Sequence, residues 1–285
     1  MDGAMGTELL RAGAGEAGSH DLCNLTHPKR VRAVHQEYVD AGATVLLTNT
    51  FQANPAALAR HDAEDQLEAV CRAGVEIARA VAGPDRYAVA DIGPLFDPRE
   101  RGWTIGDLTA VEQICSSMEG ADAVLLETFS DPWAFVAAEF CGAALQHRQV
   151  PLLLSVTYRL TRSGKVRTAG GHRPEMFARQ AGRRGIAALG VNCGRDVGMN
   201  EVIEVVRRYR QVTDLPLFAR PNAGSPARVD GRWVYPHTSD RMAERLPELL
   251  EIGVAMVGGC CGTTPAHIAA FRPVIDRWNR LRTAR

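Results

Sequence analysis

The sequence predicts a closed (β/α)8 barrel, the TIM-barrel class, with a first strand that is shortened or absent. Three observations carry this. Short aliphatic runs alternate with amphipathic stretches along the whole chain, the pattern of a parallel sheet with helical crossovers. Most runs are apolar at consecutive positions, as strands covered on both faces require. The 285 residues, 46% of them hydrophobic, suit one barrel of roughly 250 residues. No Pro/Gly-rich linker divides them, so residues 1–285 are read as a single domain.

The chain opens on Met1-Asp2-Gly3, already a turn signal, where a barrel should first have a strand. Asp2 is therefore expected to be weakly anchored, and a strand added upstream is expected to raise stability and activity. Strands follow at Thr44–Thr48, Tyr87–Ile92, Ala123–Glu127, Leu152–Thr157, Ala187–Val191, Leu217–Ala219 and Ala255–Val257. Helical patterns lie at Pro28–Asp40, Ala63–Val81, Asp107–Glu119, Pro132–Gln146, Pro174–Arg184, Met199–Tyr209, Ser239–Leu250 and Pro265–Trp278. Asp131-Pro132 and Thr264-Pro265 place a capping side chain before a proline at the first helical position. Gly42 and Gly253 follow helices, where a left-handed residue is useful. Eight helices with seven visible strands favour a barrel over an open sheet.

Function in a barrel collects at the C-terminal ends of its strands. Those ends read Thr48-Asn49-Thr50-Phe51, Asp91 with Gly93-Pro94, Glu127-Thr128-Phe129, Asn192-Cys193-Gly194, Pro221-Asn222-Ala223-Gly224 and Gly258-Gly259-Cys260-Cys261-Gly262. Cys193, Cys260 and Cys261 thus share one rim. Three thiolates with one open position make a plausible catalytic zinc site. Buried structural cysteines and a redox-active Cys260-Cys261 pair are the other readings. Glu127 suits an ammonium partner or a base, or caps the next helix. Asp131 reads first as a helix cap. Asn222 shapes its turn or touches a ligand. Asp2 borders a small-residue turn whose backbone N–H groups suit a carboxylate. Gly13, Gly15 and Gly18 fit G-x-G-x-x-G, but no strand precedes them and Ser-His-Asp follows, so a dinucleotide site is not expected.

Basic and acidic residues number 33 each, for zero net charge, which argues against nucleic acid or an anionic membrane as partner. No apolar run approaches the roughly 20 residues of a membrane span, and no secretory signal opens the chain. Seven cysteines, an odd number, argue against a disulfide framework and for a cytoplasmic protein.

Six blocks, in order, carry a resemblance: DGAMGT at Asp2–Thr7, TNTF at Thr48–Phe51, ETFSD at Glu127–Asp131, VNCG at Val191–Gly194, PNAG at Pro221–Gly224 and GGCCGTTPAHI at Gly258–Ile268. Together they resemble the homocysteine S-methyltransferase family, over nearly the whole chain. The resemblance implies a (β/α)8 barrel, one Zn2+ held by Cys193, Cys260 and Cys261, and methyl transfer to homocysteine to give methionine. It also implies an amino-acid site at Asp2, Gly3 and Glu127, with Asp131 nearby and Asn222 close to the metal. Two departures stand out: the apolar strand usual before DGAMGT is missing, and Leu95 follows Gly93-Pro94 where many relatives have Ser or Thr. The methyl donor is expected to be a sulfonium such as S-methylmethionine, with Phe51 and Trp103 as candidate cation–π faces. A separate corrinoid (methylcobalamin) protein is the alternative donor, and a non-catalytic zinc- or thiol-binding barrel the alternative function.

Overall fold

In the computed structural model, described for residues 1–14, 20–95, 104–145, 149–194, 196–229 and 232–283, seven strands form one sheet. They are Val45–Leu47, Tyr87–Ile92, Ala123–Phe129, Leu152–Val156, Ala188–Asn192, Leu217–Arg220 and Val254–Val257. Neighbours in chain order are neighbours in the sheet, and every pair is parallel. All seven expected strands are present, with bounds shifted by one or two residues.

The gap between the last strand and the first is closed by the opening residues themselves. The Met1 nitrogen donates to Val257 O at 2.7 Å. Asp2 N–H donates to Val45 O, and Asp2 O accepts from Gly259 N–H, both at 2.9 Å. Leu47 N–H donates to the Asp2 carboxylate at 2.7 Å. Two residues therefore do the work of the first strand. This corrects the expectation of a weakly anchored Asp2, which is only 2% exposed. Close approach also explains Gly258: a Cβ there would lie 2.5 Å from Asp2 O.

Side chains alternate along each strand, and this separates two cores. Met1, Val45, Leu47, Val89, Ala123, Leu125, Leu153, Ala188 and Phe218 fill the barrel interior. The opposite faces pack beneath the helices in a larger cluster that includes Leu46, Ala90, Val124, Leu126, Leu154, Leu189 and Ala219. The helices bury matching stripes. In Leu67–Ala82 the buried positions 67, 70, 71, 74, 75, 78, 81 and 82 recur at helical spacing. Helix Pro28–Asp40 buries Val31, Val34, His35 and Tyr38. Gly42 and Gly253 take positive φ after their helices, as expected.

Some elements differ from expectation. The stretch expected as one helix over Ser239–Leu250 is two, Ser239–Ala243 and Leu246–Ile252. Pro247 sits in the first turn of the second, where it lacks an N–H and would clash with the preceding turn of a continuous helix. Short helices Met5–Arg11, Cys23–Thr26 and Pro55–Leu58 were not foreseen. Neither were two small antiparallel hairpins, Arg159–Leu160 with Val166–Arg167 and Ala227–Val229 with Arg232–Val234. Gly15 and Gly18 of the rejected dinucleotide pattern lie outside the described residues, as does Trp103. Among the described residues no helix is long and apolar enough to cross a membrane.

Candidate active site

The inward row that is apolar at the bottom of the barrel turns polar at the top. Two residues beyond Val89, Leu125 and Phe218 stand Asp91, Glu127 and Arg220, all nearly fully buried. Two residues beyond Leu153 and two before Asn192 stand Ser155 and Gly190. Asp91, Glu127 and Arg220, with Asp2, Gly3, Asn49, Phe51, Thr128 and the cysteines of the rim, line a cavity of about 450 Å³.

Cys193, Cys260 and Cys261 converge as expected. Their sulfurs all lie within 4.8 Å of one another, and Cys193 Sγ is 3.8 Å from Cys261 Sγ. Zinc–sulfur bonds of about 2.3 Å in tetrahedral geometry put sulfurs about 3.8 Å apart, so the donor set and its spacing fit zinc. The backbone does the aiming. Cys193 adopts φ 52°, a left-handed conformation costly for a non-glycine residue, and Gly194 follows at φ 115°. Cys260 N–H donates to Pro221 O, and Ala223 N–H to Cys261 O, each at 3.0 Å. The PNAG loop is thereby stitched to the cysteine pair. Thr263 Oγ1 donates to Cys260 O at 2.7 Å.

Polar neighbours tie the thiols to the rest of the rim. Ser155 Oγ donates to Asn192 Oδ1 at 2.6 Å. Asn192 Nδ2 donates to Thr128 Oγ1 at 2.7 Å and points at Cys260 Sγ at 3.8 Å. Asn222 hydrogen-bonds Cys193, its amide also reaches Gly194 O at 3.4 Å, and its Oδ1 is buried without a partner. Hydrogen bonds from the Cys260 and Cys261 thiols hold Cys193 well below the usual thiol range. The same contact pushes Cys260 up to about 11 and Cys261 upward as well. These contacts favour negative charge at Cys193, which a cation would balance.

The carboxylates are arranged around a residue the sequence reading passed over. Arg220 pairs with Glu127 through Nη1. Its Nη2 faces Asp2 Oδ1 at 3.4 Å and donates to Gly3 O at 3.2 Å. Burial pushes Asp2 up to about 6 and Glu127 up to about 7, each against the opposing pull of Arg220. Burial, with Glu127 alongside, also pushes Asp91 well above the usual carboxylate range. Thr128, immediately after Glu127, takes φ 66°, an outlier for a β-branched residue. Asp131 lies further out: its carboxylate accepts from Trp133 N–H at 2.8 Å, the helix-capping use, and the cavity is lined without it. The missed signal for Arg220 was its spacing, two residues after the inward Phe218.

The family model described as Homocysteine S-methyltransferase matches residues 1–275. The methionine synthase of Mycobacterium leprae (strain TN) is 32% identical over 300 residues, which cover 98% of this chain and 24% of that protein. The methionine synthase of Mycobacterium tuberculosis is also 32% identical, over 94% of this chain and 24% of its own length. The chain thus spans about a quarter of the length of these relatives. The metallated form of the homocysteine methyltransferase MmuM from Escherichia coli superposes with a TM-score of 0.74 at 26% identity, covering 96% of this chain and 94% of that one. A methyltransferase from Methanosarcina mazei, at 13% identity and a TM-score of 0.60, shares the fold.

Proposed function

Because the chain belongs to the homocysteine S-methyltransferase family, we propose that it transfers a methyl group to the thiol of homocysteine to give methionine, within one barrel domain spanning 1–285. The observation that carries this reading is the triangle of cysteine sulfurs opening into the same buried cavity as Asp2, Glu127 and Arg220. One end of that cavity suits a thiol and the other an amino acid.

Cys193, Cys260 and Cys261 are the residues that would hold one zinc ion. Zinc there would favour loss of the acceptor's thiol proton at neutral pH, so that the nucleophilic thiolate predominates. The chain's own residues do the rest. Asn222 and Asn192 orient Cys193 and Cys260 by hydrogen bonds to sulfur. Asp2, Gly3 and Glu127 line the amino-acid end, and Arg220 fixes Glu127 and Asp2 in place. The cavity walls exclude water from the acceptor. In the reaction the thiol loses its proton, its sulfur bonds to the methyl carbon, and the donor's bond to that carbon breaks with the electron pair staying on the donor. From a sulfonium donor both products are neutral thioethers, and one proton is released.

A sulfonium such as S-methylmethionine is the first donor proposed, and Phe51 lines the cavity as a cation–π candidate. The similarity to methionine synthases four times as long favours a second reading, in which a separate corrinoid protein delivers the methyl group. Seven unpaired cysteines suit a reducing, cytoplasmic setting on either reading. The test supplies zinc-loaded protein and homocysteine with S-methylmethionine, S-adenosylmethionine, betaine or methylcobalamin, and measures methionine by mass spectrometry. Methionine from one donor is expected. Bound zinc with no methionine from any donor would favour a non-catalytic zinc- or thiol-binding barrel. A reversible two-electron thiol couple in metal-free protein would favour a redox role.

A further inference from the structure

The acceptor end of the cavity holds three buried carboxyl groups, Asp2, Asp91 and Glu127, around one guanidinium. Both Nη groups of Arg220 are already engaged, while its Nε is buried without a partner. Its Nη1 pairs with Glu127 and its Nη2 with Asp2 and Gly3 O. A substrate ammonium directed at Glu127 would therefore approach a carboxylate whose charge is already matched by a cation held against it.

Asp91 is placed differently. It is 4% exposed, it lines the cavity, and its Oδ1 has no hydrogen-bond partner. Its inward direction follows from the alternation that places Val89 in the interior core. Its backbone is clamped on both sides by the Thr48-Asn49-Thr50 segment. Asp91 N–H donates to Thr48 Oγ1 at 2.9 Å, and Thr50 Oγ1 donates to Asp91 O at 2.7 Å. Its carboxyl group also contacts Glu127. A buried, unpartnered acceptor oxygen costs free energy until something donates to it. An ammonium ion is the donor that would also offset part of the carboxylate charge in excess over Arg220.

We propose that Asp91 is the residue that selects an α-amino-acid thiol, its Oδ1 receiving the ammonium group, while Arg220 is a positioning residue that withholds Glu127 and Asp2 from that role. This rests on the homocysteine reading given above and names the group that makes the acceptor site specific.

The test compares two thiols that differ only in the ammonium group, homocysteine and 4-mercaptobutanoate. Their binding to zinc-loaded protein is measured by calorimetry, without a methyl donor. Wild-type protein is expected to bind homocysteine more tightly. Asp91→Asn is expected to weaken homocysteine by about 10- to 100-fold, as loss of a charge-assisted hydrogen bond should, and to leave 4-mercaptobutanoate within about threefold. Retained 4-mercaptobutanoate binding also shows that the variant is folded. In an Arg220→Gln background, Glu127 is released to compete for the ammonium, and Asp91→Asn should then cost homocysteine less than about threefold. Equal weakening of both thiols by Asp91→Asn overturns the assignment, as does selectivity that survives Asp91→Asn but is lost in Glu127→Gln. Wild-type protein that binds both thiols equally overturns only the assignment. Wild-type protein that binds neither overturns the homocysteine reading together with it.

Discussion

Arg220→Met should weaken the fold more than any other removal of an arginine ion pair described here. The Arg220 side chain and its two carboxylate partners are all less than a tenth exposed, so water cannot take over when the guanidinium is deleted. Truncating one partner of a buried ion pair leaves an uncompensated charge and costs about 3–5 kcal/mol. Methionine fills most of the volume, so cavity formation adds little. With a urea slope of about 3 kcal/mol per M for a chain of this size, the apparent midpoint should fall by about 1–1.7 M. Urea unfolding of metal-free protein followed by circular dichroism measures this directly. The comparison is Arg208→Met, whose partner Glu175 is held at 2.7 Å while the two side chains remain 18% and 25% exposed. It should cost less than about 1 kcal/mol, because solvent screens what is left. Combining Arg220→Met with Asp2→Asn and Glu127→Gln should recover most of the lost stability, since the stranded charges are then gone. A loss below about 1 kcal/mol for Arg220→Met alone, or no recovery in the triple variant, would refute the claim that charge balance holds the top of this barrel together.

Three further outcomes are expected. Cys193→Ser and Cys261→Ala each remove one sulfur of the triangle, so zinc content after dialysis, measured by elemental analysis, should fall below about a tenth of an equivalent with methyl transfer lost; full zinc with full transfer in Cys193→Ser would refute the ligand assignment. His35 is fully buried, neither ring nitrogen has a partner, and burial lowers its pKa from 6.5 to about 4. The neutral ring is the folded form, so His35 takes nothing from stability above pH 6.5, and its contribution is lost as pH falls from 6.5 through 4. At about 1.4 kcal/mol per pH unit the loss reaches about 3 kcal/mol, and His35→Leu should flatten that part of the curve in urea titrations. Gly190→Ala would drive a Cβ into the Phe218 ring at the barrel interior, and should cost about 1–3 kcal/mol by calorimetric melting.

What the sequence made legible follows from how each feature is encoded. The seven strands are covered on both faces, so nearly every residue is apolar and the runs stand out. The long helices bury one stripe and announce it by period. The three cysteines were legible because chemistry-bearing residues fell at strand ends, where a barrel gathers function whatever its loops do. Elements with little burial left little pattern: Met5–Arg11 buries only Glu8 and Leu9, and both strands of the hairpin at Ala227–Val229 lie at the exposed rim. The break before Pro247 is written in the sequence, because proline lacks the N–H that a continuous helix would need there. Cys115 and Cys141 fall within helical patterns, yet their sulfurs meet between two helices, 2.7 Å apart. That contact depends on helix packing, which spacing within either helix does not encode.

Arg220 is the instructive omission, because an arginine after an aliphatic run reads as the strand leaving the core. Inside a barrel the same residue continues the inward row, and three carboxylates are waiting for it. The cavity then has two shortages of positive charge. At the thiols, Cys193 is held toward its charged form by its two neighbours; at the carboxylates, one guanidinium faces three acids. On the proposed reading a divalent metal offsets the first and the acceptor's ammonium lessens the second. A molecule that brings a thiol to one end and an ammonium to the other would give the metal a fourth ligand and the carboxylates a second cation in a single binding event. Neither shortage alone selects it: a thiol without the ammonium satisfies only the metal, and an amino acid without the thiol satisfies only Asp91. An aminothiol should therefore bind more tightly than the sum of its two halves would suggest, because the barrel has already fixed both ends of the cavity and little further ordering remains to be done on binding.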